Sequence, residues 1–201
     1  MHKEFVPYDM IRNNALKLAY RIYREGFVPD VIYVSLRGGA YMGNVISEYF
    51  KFIRGHDRPV FYAAVVARSY TDISTQESIK IDGWTYGPEF LRAGDRILIV
   101  DDVYDSGRTI NYLTRVLMEK GVARDNIKIA VHDYKVREYL PDDQPIKPDF
   151  WCRKIEVKTP DDETWIHYMS HELVGLTKEE AEKYYVSADP ELAEVMKLVT
   201  G

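Results

Sequence analysis

Apolar positions along the chain follow two alternating rhythms. Ile11, Ala15, Leu18, Ala19 and Ile22 recur every three to four residues, which predicts a helix capped by Asp9 and stopped at Gly26. The continuous apolar run 31–34 after Pro29 predicts a buried strand that breaks at Arg37-Gly38-Gly39, and a second helical pattern follows through Ile46 and Tyr49. Further strands are predicted at 61–66, 96–100 and 127–131, with a helix from about 108 to 120 ending at Gly121. Strands alternating with helices at this spacing mean a parallel sheet with crossover connections.

Between these elements the rhythm lapses. Residues 68–84 are polar, rich in Ser and Thr, and hold no sustained period, so a long loop or hairpin is expected there. Residues 141–160 contain four prolines and many charges and read as irregular, with a short strand at 164–168 beyond them. Two short helices fill the tail. In the second, Asp189 is the cap, Pro190 takes the first helical position, and Leu192, Val195, Met196 and Val199 share a face.

Composition narrows the class. A chain of 201 residues with 46% hydrophobic and 29% charged residues is ordinary globular material with room for one well-buried core. The net charge of −5 argues against a protein that coats nucleic acid. One cysteine, Cys152, allows neither an internal disulfide nor a thiolate zinc cluster, and a cytoplasmic location is expected. No apolar run reaches 18 residues and the first residues form no apolar leader, so no membrane association is expected.

The chemistry concentrates in 97–110, ILIVDDVYDSGRTI. An apolar strand runs into Asp101 and Asp102, and Asp105 stands three residues on. In a parallel sheet, ligands bind beyond the carboxyl ends of the strands, where these acids lie. The turn that follows opens a helix, whose free N–H groups and dipole favour an anion. Ser106, Gly107 and Thr109 offer hydroxyls and close backbone approach, and Arg108 adds a forked cation suited to phosphate. Carboxylates repel phosphate, so the acid pair must serve ribose hydroxyls, a magnesium ion, or both. The segment is not a Walker A loop, a dinucleotide-binding glycine fingerprint or an EF-hand. The plain alternative is a strand ending in a solvated acidic turn.

The same stretch resembles the 5-phosphoribosyl 1-pyrophosphate (PRPP) signature of type I phosphoribosyltransferases: four apolar residues, two acids, two variable residues, then Asp-Ser-Gly-Arg-Thr. Three further segments agree in order and spacing, so the resemblance covers roughly 31–172. Ser35-Leu36-Arg37-Gly38-Gly39 is similar to the loop that holds pyrophosphate, often through a cis peptide, which here would be Leu36–Arg37. Arg68-Ser69-Tyr70, followed by Ser74-Thr75, resembles the catalytic loop of the hypoxanthine-guanine branch, where a Ser-Tyr pair closes over the site. Lys135 matches the lysine that reads a purine 6-oxo group. Trp165-Ile166 resembles the purine-stacking aromatic and its neighbouring backbone contact in bacterial xanthine-guanine enzymes, although Phe150, in a Lys-Pro-Asp-Phe context, is a rival for the stacking place. Glu172, seven residues past Trp165, stands where that branch puts a magnesium-linked acid.

The resemblance implies an α/β fold: a mostly parallel sheet flanked by helices, as in type I phosphoribosyltransferases, with a small hood. As a single domain its core would span about 28–140 and its hood 1–27 plus 141–201. It also implies a 6-oxopurine phosphoribosyltransferase that binds PRPP and a purine base, uses magnesium, releases a nucleoside monophosphate, and works as a homodimer or homotetramer without nucleic acid. Arg37, Gly38 and Gly39 would then meet pyrophosphate, Asp101 and Asp102 the diol and metal, Ser106–Thr109 the 5′-phosphate, and Asp105 the purine N7 proton. Met169-Ser170-His171-Glu172 departs from the family pattern, which leaves the choice among hypoxanthine, guanine and xanthine open. Transfer to another base and a PRPP-sensing regulator of the same fold remain as alternatives. His132, His167 and His171 lack metal spacing and are expected to be structural or on the surface.

Overall fold

In the computed structural model, residues 2–55, 58–71, 77–141 and 144–201 are described, apart from the side chains of 68–71 and 77–78. In chain order the elements are β1 (His2–Val6), α1 (Tyr8–Arg24), β2 (Val31–Leu36), α2 (Gly39–Arg54), β3 (Phe61–Thr71) and β4 (Glu77–Trp84). They continue with β5 (Ile97–Tyr104), α3 (Arg108–Glu119), β6 (Ile127–Arg137), β7 (Phe150–Val157), β8 (Thr164–Tyr168), α4 (Lys178–Ala181) and α5 (Ala193–Thr200). Six strands form one sheet in the order β4-β3-β2-β5-β6-β7, parallel throughout except for β4, which returns antiparallel on β3. The expected α/β architecture is therefore present, and within 68–84 the described residues 68–71 and 77–84 belong to paired antiparallel strands.

Both faces of the sheet are covered, which is why its central strands read as unbroken apolar runs. On one face α1 and α2 bury Ile11, Leu18, Ile22, Met42, Ile46 and Phe50 against Ile32, Val34, Leu98 and Val100. On the other, Ile110, Leu113 and Leu117 of α3 pack on Val31, Tyr33, Ile97, Ile99 and Ile129. The predicted α1 stripe is wholly buried and the helix ends at Gly26, whose φ of 76° suits a residue without Cβ. Asp9 is not its cap: Pro7 holds that place and Asp9 lies in the first turn, where its charge still complements the dipole.

Several boundaries move. Strand β5 runs on to Tyr104 and β6 to Arg137, so Asp101, Asp102 and Lys135 sit on strand ends and not after them. Each is held there by neighbours, with Asp101 opposite Val131, Tyr104 opposite Tyr134, and Lys135 opposite Ile155. Strand β7 lies within the segment read as irregular. It is an edge strand whose Arg153, Lys154 and Glu156 mask the alternation, as edge strands often do. Helix α1 packs on the main sheet, and β7 forms its outer strand beside β6.

The hood that remains is a two-stranded parallel sheet of β1 and β8 with the tail. Leu176, Ala181, Tyr185 and Met196 form its small core, and Lys3 of β1 reaches Glu180 at 2.7 Å. Asp189 caps the turn at Pro190–Leu192 by accepting from the Glu191 N–H, as its sequence predicts. Among the described residues no helix is long and apolar enough to cross a membrane.

A buried polar network fastens hood to core. Asp133 of β6 is fully buried; its carboxylate accepts from His132 Nδ1 (2.8 Å), Arg153 Nε of β7 (2.5 Å) and the Tyr168 hydroxyl of β8 (2.6 Å). Burial opposes ionisation, but hydrogen bonds from His132 and Arg153 outweigh it and hold the carboxyl below the usual range. Removing one member of such a buried set leaves the others unpaired. Asp133→Ala is therefore expected to lower the unfolding free energy by about 3–5 kcal/mol in a denaturant titration. A loss under about 1 kcal/mol would mean the network carries little of the fold.

Candidate active site

The site is built at the carboxyl edge of the sheet. The loop after β2 lies directly against the end of β5. A Cβ on Gly38 would stand 2.3 Å from an Asp102 carboxylate oxygen, and one on Gly39 would stand 2.3 Å from the Val100 carbonyl. At Gly39, where the neighbour is backbone, only glycine allows this approach. The Leu36–Arg37 peptide is cis, and Arg37 is exposed. Burial and the adjacent Asp102 carboxylate push the Asp101 carboxyl well above the usual range, against a hydrogen bond from Ser35.

Beyond the acids, β5 turns through Asp105-Ser106-Gly107 into α3. Gly107 caps the helix at φ 73° and has no side chain to offer its first N–H groups; the Arg108 N–H meets the Ser106 hydroxyl at a long 3.5 Å, and a helix start of this kind suits an anion. The fully buried Asn111 fixes this turn. Its amide donates to the Gly107 carbonyl (3.0 Å) and the Ile146 carbonyl (2.8 Å), and accepts from the Ile146 N–H at 2.9 Å. Ser106 and Arg108 line a cleft of about 460 Å³ with Asp105, Lys135, Arg137 and Lys147.

A second cleft of about 330 Å³ adjoins it and is shared between core and hood. Asp102, Asp105, Lys135 and Arg137 line it from the core, and Glu163, Trp165, Ile166 and Glu172 from the hood. Trp165 is 49% exposed, which rules out a plain core role, whereas Phe150 is 3% exposed within the α1 core and does not reach the cleft. Lys135 is only 8% exposed, so it is no ordinary surface lysine. Its ammonium donates to Glu163 Oε2 and the Thr164 carbonyl, both at 2.9 Å, and stands 3.6 Å from Asp105 Oδ1.

The structure thus brings Asp102, Asp105, Lys135, Trp165, Ile166 and Glu172 together, with Ser106 and Arg108 next door. Asp101, Asp102 and Glu172 do not close into a cation cage: among the described residues no three His, Cys, Asp or Glu side chains do. Glu172 instead accepts from the Trp165 indole N–H and the Tyr168 N–H, both at 3.3 Å, and burial raises its carboxyl above the usual range. Ser69 and Tyr70 lie on the β3 backbone opposite Ile79 and Ser78; their side chains, and Ser74 and Thr75, fall outside the described residues.

Four residues at the candidate site had escaped notice in the sequence. Arg137 grips Asp105 through Oδ1 (2.6 Å) and the backbone carbonyl (3.2 Å). Glu163 binds Arg137 Nε, Lys135 and the Tyr139 hydroxyl. His171, expected to be structural or on the surface, pairs with Asp102 at 3.2 Å. Asn111 is the fourth. The one sequence signal was the period-two placing of Lys135 and Arg137, which puts both on one face of β6. His132 and His167 are buried, as a structural role requires.

An acid pair beside an anion-accepting helix start, at the edge of a sheet of this order, is the frame of the type I phosphoribosyltransferase fold. The model of the phosphoribosyl transferase domain matches residues 7–166, so the chain belongs to that family and is a phosphoribosyltransferase. A search of curated proteins returned no match. Among solved structures, the chain is similar to a purine phosphoribosyltransferase from Pyrococcus horikoshii, with a TM-score of 0.64 and 21% identity over 89% of this chain and 100% of that one. A hypothetical protein from Neisseria gonorrhoeae with bound ppGpp gives 0.63 at 18% identity, over 96% of this chain and 97% of the other. A xanthine-guanine-hypoxanthine phosphoribosyltransferase from Helicobacter pylori gives 0.58 at 20%, over 84% and 94%.

The close seat of the 37–39 loop makes a sharp test. Because the Gly39 Cβ would meet backbone, Gly39→Ala must displace either the loop or the end of β5. It is expected to cost about 1–3 kcal/mol of stability and to weaken PRPP binding measured by calorimetry. Unchanged binding and melting would show that the two segments are not held together.

Proposed function

We propose that this chain transfers the 5-phosphoribosyl group from PRPP to a 6-oxopurine base. The observation that carries this reading is the second cleft: a lysine ammonium, an exposed tryptophan face and the Ile166 backbone meet beside Asp105. These groups match a flat ring with a carbonyl at one edge and a polar N–H at another.

In the reaction the bond from ribose C1 to pyrophosphate breaks and its electron pair leaves with pyrophosphate. A purine ring nitrogen forms the new bond to C1, and the N7 proton passes to Asp105, whose Oδ1 is already held by Arg137. Lys135 donates to O6, Trp165 stacks on the ring, and the Ile166 carbonyl receives an N–H. The 5′-phosphate sits at the start of α3 on Ser106–Thr109. Arg37 and the backbone of Gly38 and Gly39 take the pyrophosphate, and Ser69 and Tyr70 cover it.

The acid pair fits magnesium, an ion that takes oxygen ligands and is usually bound by one or two carboxylates plus substrate phosphates. Asp101 and Asp102 would hold it, and when bound it neutralises charge on the departing pyrophosphate. A purine cleft beside a phosphate seat also suits a guanine nucleotide such as the one in the Neisseria structure, the binding-only alternative.

A PRPP-dependent pyrophosphate assay with hypoxanthine, guanine, xanthine and adenine, with and without magnesium, tests the reading. Turnover is expected with at least one 6-oxopurine and not with adenine; tight ppGpp binding with no pyrophosphate release would favour the alternative. Asp105→Ala is expected to lower kcat by about 100-fold or more while the PRPP dissociation constant stays put. Full activity in that variant would remove Asp105 from the chemistry.

A further inference from the structure

We propose that Glu163 is a positioning residue that sets, from one carboxylate, both the cation that reads the base and the acid that meets its proton. The inference rests on the function proposed above and adds a residue to it.

The geometry is specific. Lys135 and Arg137 point to the same side of β6, and two adjacent cations repel unless something stands between them. A neutral purine supplies no such charge. Asp105 Oδ1, 3.6 Å from Lys135 and 2.6 Å from Arg137, supplies part of it, and Glu163, just before β8, supplies the rest: Oε2 takes the Lys135 ammonium at 2.9 Å, and Oε1 takes Arg137 Nε together with the Tyr139 hydroxyl at 2.7 Å. The Thr164 carbonyl holds Lys135 from a second side at 2.9 Å, which leaves the ammonium a donor for the cleft.

Arg137 passes the constraint on. With Nε committed to Glu163, its two terminal nitrogens reach the carboxylate and the backbone carbonyl of Asp105, at 2.6 and 3.2 Å. A two-point grip fixes the side-chain torsion of Asp105, which is otherwise half exposed. Glu163 stays ionised throughout the working range: the Arg137 hydrogen bond, against burial and with help from Lys135 and Tyr139, pulls its carboxyl down to about 2. Because Glu163 comes from the hood end and its partners from the core strand, one residue registers the base against the acid across the two sheets.

The test is a split in steady-state constants. Glu163→Gln keeps the shape and one acceptor but removes the charge. It is expected to raise the KM for the purine and to lower kcat, each by about tenfold, with the KM for PRPP within about twofold of wild type. Arg137→Lys keeps a cation for Glu163 but loses the fork on Asp105, and is expected to lower kcat about tenfold with the purine KM within about twofold. A residue that only holds the fold would instead reduce kcat in step with the folded fraction, read by thermal unfolding, and spare the purine KM.

An active wild type with Glu163→Gln constants inside twofold would overturn the inference while leaving the proposed function standing. Should Glu163→Gln not fold, an Arg137→Lys enzyme with wild-type kcat overturns it equally. A wild-type chain that releases no pyrophosphate with any 6-oxopurine removes the function and this inference together.

Discussion

The Asp133 carboxylate is the joint on which the cleft depends. A fully buried charge costs several kcal/mol unless every lone pair finds a donor. Here the donors come from different elements, since His132 shares β6, Arg153 belongs to β7 and Tyr168 to β8. Arg153 also reaches Glu4 of β1, and Asn14 of α1 meets His132 Nε2 at 3.0 Å. Satisfying one carboxylate therefore fixes the hood sheet on the main sheet. The Tyr168 hydroxyl stands 3.0 Å from the Asp102 carbonyl, so the joint ends at the acid pair itself. Trp165 and Ile166, on the same short strand as Tyr168, take their distance from β5 through it.

Two sheets meeting at an angle would leave a gap wherever their strands outrun their partners, and this chain uses that gap. Strands β5 and β6 continue several residues past their apolar runs, still paired to each other. Their extensions carry Asp101, Asp102, Lys135 and Arg137 on rigid backbone, where a loop would let them wander. The turn into α3 is not on a strand, and Asn111 compensates by tying it to the Ile146 backbone on both sides of the amide. Each charged group is thus placed by a hydrogen-bonded frame laid down before any ligand arrives.

This explains what could be read in advance. The central strands, the α1 stripe and the 97–110 motif were legible because burial on both faces and a fixed run of ligand-facing residues leave local patterns. Strands β1 and β7 were not. The first is stabilised by a partner more than 150 residues away, and the second hides its alternation behind edge charges. Among site residues, Asp101 to Thr109 announced themselves as a block, whereas Arg137, Glu163 and His171 are single residues in polar context. Nothing local separates them from solvated charges, and their role exists only once β6, β8 and the segment after β8 converge. The placing of Phe150 shows the converse, since a family-like local context proved to be core once α1 was seen to cover it.

The balance of charge in the second cleft carries a last consequence. Its walls hold Lys135 and Arg137 against Asp102, Asp105, Glu163 and Glu172. Even leaving aside Glu172, whose carboxyl burial raises above the usual range, acids outnumber bases, and both cations are already committed to acids. Bare PRPP is polyanionic, and like charges about 4 Å apart repel by about 4 kcal/mol at the effective dielectric of a protein surface. With Arg108 and Lys147 lining the adjoining cleft, this one would not itself collect the free anion by electrostatics. It suits an anion that arrives with a divalent cation, whose positive charge the acid pair can meet while the helix start and the 37–39 loop meet the phosphates. On the function proposed above, the acids at the end of β5 are therefore not in conflict with a phosphate seat beside them: they would meet the cation with which the donor comes.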